Sequence, residues 1–97
     1  MKESEKNIER YVVGTVKKLG GAAIKGNTIN SKGYPDRVLH MPGGKIGFLE
    51  IKSEGKKPTK LQQHWLNLLS DLGFKVGYVD TKAKAEQFIK ELCGADW

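Results

Sequence analysis

Gly33-Tyr34-Pro35-Asp36-Arg37-Val38-Leu39-His40-Met41, then Pro42-Gly43-Gly44, then Lys45-Ile46-Gly47-Phe48-Leu49-Glu50-Ile51-Lys52 is the stretch on which the fold turns. Two runs rich in apolar residues flank a Pro-Gly-Gly turn, where glycine can supply the positive φ that a tight loop requires, so the stretch reads as a β-hairpin. With Pro42 to Gly44 as the loop, Met41 faces Lys45. Counting outward then sets Asp36 opposite Glu50, with Cβ atoms roughly 5 Å apart on one face of the sheet. Two carboxylates that close repel, and folding alone has no reason to select the pair unless a proton or a cation is shared between them. Alternation along the second strand places Lys52 on the face of Glu50, while Leu49 and Ile51 point the other way.

The composition agrees with a polyanionic partner. The 97 residues carry 17 Lys and Arg against 11 Asp and Glu, a net charge of +6, which favours phosphate contacts through counterion release. A pair of acids poised among lysines suits a divalent cation facing a phosphodiester. The length predicts a single domain over residues 1–97, near the lower limit for a self-sufficient core, and such a domain gains by dimerising. There is no run of eighteen apolar residues, and Met1-Lys2-Glu3-Ser4-Glu5 is charged with no hydrophobic segment behind it, so neither a membrane span nor a signal peptide is expected. One cysteine, Cys93, excludes an internal disulfide and fits a reducing, cytoplasmic setting.

Residues 4–19 read as an amphipathic helix, with Ser4 as N-cap, Ile8, Val12, Val16 and Leu19 as its apolar stripe, and Gly20 and Gly21 as its end. At 100° per residue Glu5 falls near the middle of the stripe and Glu9 at its edge, so a carboxylate is aimed toward the core side. Glu5 also suits the positive end of the helix dipole with no further role. Ala22–Lys25 is a short strand, and Gly26–Gly33 a mobile polar loop that includes Asn27, Thr28, Asn30, Ser31 and Lys32. Pro35 fits the beginning of the first hairpin strand, where a missing N–H is tolerated. The second hairpin strand, Ile46–Ile51, is apolar on both sides until its end, which predicts a sheet covered by helices on both faces.

Ser53–Pro58 is a loop bearing Lys56 and Lys57. It leads into a helix from about Lys60 to Leu72, whose predicted buried stripe is Leu61, Trp65, Leu68 and Leu72, and which Gly73 stops. Thr59 and Gln62 match a capping box, a complete structural reason for Gln62, although the first turn of this helix also follows closely on Lys52. Phe74–Val79 reads as an interior strand. Asp80 or Thr81 caps a last helix with Ala85, Phe88, Ile89, Leu92 and Cys93 as apolar positions. His40 and His64 are too few for a zinc site. A phosphate-binding glycine loop is missing, so no nucleotide cofactor is expected. Trp65 reads as core, and Trp97 at the end has no legible role.

Pro35-Asp36, a spacer of thirteen residues, Glu50-Ile51-Lys52 and then Gln62 at a helix start resemble the motif of the PD-(D/E)xK nuclease superfamily. The whole chain resembles the stand-alone VRR-NUC domain of phages in its order of helix, strand, hairpin, helix, strand and in a glutamate on the first helix. The resemblance implies an α/β fold with a single nuclease core, a central mixed sheet of hairpin plus flanking strands, helices on both faces, and the order αβββαβα.

It also implies a Mg²⁺- or Mn²⁺-dependent DNA endonuclease. Asp36, Glu50 and the main-chain carbonyl of Ile51 would bind the metal, and a first-helix glutamate would complete the shell. Helical phase favours Glu5, whereas counting back from Gly20 in the manner of archaeal junction resolvases favours Glu9. Lys52 would orient the attacking water, and Gln62 would support Lys52 or the scissile phosphate. Lys25, Lys32, Lys56 and Lys57 are candidate nucleic-acid contacts. Stand-alone members resemble homodimeric four-way-junction resolvases of DNA repair and recombination, which would work in the host cytoplasm if phage-encoded. A flap or duplex endonuclease shares every site residue, and a non-catalytic basic DNA-binding module is the remaining alternative.

Overall fold

The computed structural model describes residues 2–26 and 31–94. Seven elements follow in the order α1 (Glu5–Lys18), β1 (Ala22–Lys25), β2 (Arg37–Met41), β3 (Lys45–Ile51), α2 (Lys60–Asp71), β4 (Lys75–Val79) and α3 (Lys82–Cys93). This is the α/β arrangement, in the order αβββαβα, that the resemblance implies. Residues 27–30 of the polar loop and Trp97 lie outside the described residues.

The hairpin forms in the expected register. Met41 pairs with Lys45 and Arg37 with Leu49, and the turn between them is taken by Gly43 and Gly44 at φ +83° and +74°, a conformation open to glycine at little cost. β1 adds to β2 antiparallel, and β4 adds to β3 parallel. The sheet is therefore mixed, with the order β1-β2-β3-β4. β4 stands at an edge of the sheet and not in its interior, which corrects the reading of Phe74–Val79. Its apolar residues need cover only from the helices beside it, and Phe74 and Tyr78 remain exposed.

Alternation sends Leu39, Met41, Leu49 and Ile51 to one face, where they pack with Ile8, Val12 and Val16 of α1 and with Ala85, Phe88, Ile89 and Leu92 of α3. Ser4 caps α1, its Oγ accepting from the Asn7 amide at 3.1 Å, so the predicted stripe arrives on the core side. Thr81, not Asp80, caps α3, its Oγ1 accepting from the Lys84 amide at 3.1 Å. Cys93 is half-buried against this core. Phe48 points to the opposite face, meeting Phe74 and Tyr34 edge-on, and Tyr34 in turn meets Trp65 of α2.

The rotation of α2 differs from expectation. Leu66 and Leu69 are its buried residues and Trp65 is half-buried, whereas Leu61, Leu68 and Leu72 are 47%, 39% and 66% exposed. The predicted stripe is one residue out of phase with the buried one, a turn of about 100° away from the sheet. The helix is apolar over more than one face, and tertiary contacts choose among them: Trp65 donates its indole N–H to the Lys32 carbonyl at 2.9 Å and rests on Tyr34, which leaves the 61–68–72 line outward. Among the described residues no helix is long and apolar enough to cross a membrane.

Candidate active site

At the open end of the hairpin the chain brings Asp36, Glu50 and Lys52 together. The register that pairs Arg37 with Leu49 sets Asp36, the residue before β2, across from Glu50. Asp36 Oδ2 accepts the Ile51 amide N–H at 2.8 Å, which fixes the carboxylate against the end of β3. Lys52 continues the strand and donates its amide to the Val79 carbonyl at 2.9 Å. Its Nζ stands 3.7 Å from Glu50 Oε2.

Glu50 is 2% exposed. Its Oε1 is buried without a hydrogen-bond partner among the described residues, in a protein interior where such atoms are nearly always satisfied. Burial, followed by the charge and hydrogen bond of Asp36, pushes its carboxyl up to about 8, against the lowering influence of Lys52; Glu5 adds a further raising charge. The acid pair is thus a site of concentrated negative potential that holds a proton at neutral pH.

The two helix glutamates part company. Glu9 Oε2 lies 2.9 Å from both Nε and Nη2 of Arg37, and Arg37 also donates to the Ala23 carbonyl at 2.9 Å. Glu9 is therefore spent on an ion pair beside β1, while the charge of Glu5 acts on Glu50. Gln62 completes the capping box of α2, its Oε1 accepting the Thr59 amide at 2.9 Å and its own amide donating to Thr59 Oγ1 at 3.2 Å. It shares the sheet-facing side of α2 with Leu66 and Leu69, at i, i+4 and i+7; its side-chain bonding here is that of a cap.

Of the four lysines named as nucleic-acid contacts, Lys56 and Lys57 stand exposed on the loop that follows Lys52, Lys25 is exposed at the end of β1, and Lys32 is exposed ahead of Gly33. One residue weighed from the sequence only as a helix cap organises this region. Asp80 is 8% exposed; its Oδ2 accepts the Gly55 amide at 2.9 Å and its Oδ1 pairs with Lys84 Nζ at 3.0 Å. The Gly55 amide, with Lys84 second, holds the Asp80 carboxyl below the usual carboxylate range. Glu3 and Glu54 add to the clamp, the Glu3 amide donating to Glu54 Oε1 at 2.9 Å and the Glu54 amide to the Glu3 carbonyl at 3.1 Å. A buried acid directly before a helix cap was the available signal, but its partner lies 25 residues away in the chain.

The donor set fits a hard divalent cation. Two adjacent carboxylates, one with an unpartnered buried oxygen, and no soft ligand nearby match the oxygen chemistry that such ions require. Among the described residues no group of three or more His, Cys, Asp or Glu is clustered as a ready ligand set, so a main-chain oxygen would have to supplement the carboxylates.

No protein-family profile matches the sequence. A protein of Acyrthosiphon pisum secondary endosymbiont phage 1, described as "Putative nuclease p44", is 40% identical over 78 residues, covering 80% of this chain and 84% of its own. A solved structure described as a VRR_NUC domain superposes with a TM-score of 0.79 at 24% identity, covering 91% of this chain and 96% of its own. With the phage relative to show the kinship and the solved domain to show the fold, the chain belongs to the family of that phage protein described as a nuclease, and it has the fold of the VRR_NUC domain.

Proposed function

We propose that the chain is a divalent-metal-dependent, structure-selective DNA endonuclease that works as a homodimeric four-way-junction resolvase. The observation that carries the reading is the Asp36–Glu50 pair at the end of the hairpin, with Glu50 buried, raised to about 8 and left with an unpartnered Oε1. An acid pair so costly to fold is explained by a cation that it holds in use.

Asp36, Glu50 and the Ile51 carbonyl would hold Mg²⁺ or Mn²⁺, with Glu5 behind them. The ion, when bound, acidifies a water and neutralises charge on the scissile phosphate. The chain's own residues supply the rest. Asp36 is oriented by the Ile51 amide, which engages Oδ2 and leaves Oδ1 out of that bond. Lys52, with Nζ beside Glu50, orients the attacking water and offsets charge that grows on the phosphate oxygens. Gln62 supports Lys52 or the phosphate through the amide nitrogen that its cap leaves over. The lysine-bearing loop, clamped by Asp80, holds Lys56 and Lys57 beside the same end of the sheet.

The outward face of α2 supports a dimer. Leu61, Leu68 and Leu72 are exposed, and residues 61–70 carry no formal charge in a chain whose net charge is +6. Two copies that repel overall would meet where neither presents a cation, and a two-fold axis matches the symmetry of a four-way junction.

Cleavage of a labelled four-way junction, beside matched duplex, flap and single strand, with Mg²⁺, Mn²⁺ or EDTA, tests the reading. Paired, symmetric, metal-dependent nicks in the junction alone are expected. Cutting of flaps or duplex in its place would keep the active site and overturn the resolvase, and binding without cutting under every metal would overturn the nuclease.

A further inference from the structure

On the flank of α1 toward β1 and β2 lies an open groove of about 400 Å³ lined by Lys6, Glu9, Arg10, Val13, Gly14 and Arg37. Three cations and one carboxylate leave it net positive. The carboxylate is already committed, since Glu9 is bound to Arg37. Lys6 and Arg10 form no ion pair among the described residues, while Glu50, Glu91, Asp80 and Glu86 pair with Lys52, Lys75, Lys84 and Lys90. Gly14 lies on its floor. A Cβ at this position would meet nothing within 4 Å, so the space over α1 here is open.

The groove is built from sequence neighbours of the site residues, and Arg37 reaches it on the α1 side of the sheet, bound to Glu9. Lys6 follows Glu5 on α1, and Arg37 follows Asp36 at the start of β2. From Glu5 to Arg10 the helix advances about 7.5 Å. Phosphates along one strand of duplex DNA are spaced about 3.4 Å in projection on the axis. A strand laid along α1 would therefore set more than one phosphodiester against Lys6 and Arg10.

We propose that this groove is a DNA-backbone subsite, in which Lys6 and Arg10 each take a phosphodiester flanking the one presented to Asp36 and Glu50. The inference rests on the reading of the chain as a DNA nuclease and extends it to the path of the strand. Contacts to phosphate position the substrate without reading its sequence, so the subsite raises affinity and leaves the chemical step alone.

The test is binding of a fluorescein-labelled four-way junction by the full chain in EDTA, across a salt series, followed by cleavage with Mg²⁺. Loss of two phosphate contacts in Lys6→Ala/Arg10→Ala lowers the salt slope by about 1.8 and weakens binding about 30-fold at 0.15 M salt, with kcat at saturating junction unchanged. Lys17→Ala/Lys18→Ala removes the same charge from the far end of α1 and changes affinity less than about 3-fold if the contacts are local. Gly14→Glu places a carboxylate in the groove; it raises the Tm by restoring a better helix former and still weakens binding.

An unchanged salt slope in Lys6→Ala/Arg10→Ala, or an equal loss in both double variants, overturns the subsite while leaving the nuclease reading intact. Wild-type protein that binds the junction and never cuts it overturns the nuclease and leaves the groove result readable. Wild-type protein that does not bind DNA overturns both.

Discussion

Arg37 holds Glu9 through Nε and Nη2, both at 2.9 Å from the same carboxylate oxygen. That pairing separates two glutamates one helical turn apart. Glu5→Gln is expected to lower metal-dependent cleavage by at least about 10-fold, by weakening charge at the acid pair. Glu9→Gln is expected to leave kcat near wild type and cost about 1 kcal/mol of stability, a modest figure because Glu9 is a third exposed. Cleavage rates and thermal melts of the two variants, taken side by side, decide it; the reverse pattern would move the role to Glu9.

Asp36→Asn and Glu50→Gln should each lower junction cleavage by about 10³-fold or more while junction binding in EDTA survives. Glu50→Gln removes a buried group whose ionisation is resisted, so its Tm in EDTA at pH 8 should rise. Gel-based cleavage and a melt check the two halves, and a double variant that still cuts would end the assignment.

Stability without metal should fall with rising pH in a defined window. An ordinary glutamate titrates near 4.5, and Glu50 in the folded chain is pushed up to about 8. Between those values the native state keeps a proton that the unfolded chain has lost, so the contribution is fully present below about 4.5 and is lost as pH climbs through about 8, an effect on the order of a few kcal/mol. Melts in EDTA from pH 4.5 to 8.5 should show this decline, and Glu50→Gln should flatten it. Asp80 has the opposite sign, its lowered carboxyl lending stability that disappears only in acid, outside this window.

Asp80→Asn keeps the side chain's shape and removes its charge from the Gly55 amide and Lys84. A cost of about 1–2 kcal/mol is expected, together with a raised KM because the loop bearing Lys56 and Lys57 loses its anchor. A fall in kcat with KM unchanged would show instead that Asp80 acts on Lys52.

Leu68→Glu places a charge in the exposed line of α2, where Leu68 is 39% exposed. The fold should persist by circular dichroism. Sedimentation should report a monomer, and junction cutting should fall from paired to single nicks. A dimer that survives this change lies on another surface.

Much of this protein was legible along the chain. The order of elements, the Pro42-Gly43-Gly44 turn, the register that opposes Asp36 to Glu50, and the caps at Ser4 and Thr59 follow from contacts between residues near in sequence, where counting by two or by 3.6 is enough. Three things waited for the tertiary structure. α2 is apolar over more than one face, and only the docking of Trp65 on Lys32 and Tyr34 decided which leucines turn outward. β4 reads as an apolar strand wherever it stands, and its parallel place at the edge depends on pairing with β3. Helical count aims both Glu5 and Glu9 toward the core side of α1, but in the fold Glu5 stands exposed and Glu9 is taken by Arg37, 28 residues beyond it. Local periodicity specifies what each segment can bury or hold; the partner it meets across space specifies which of those options the protein uses.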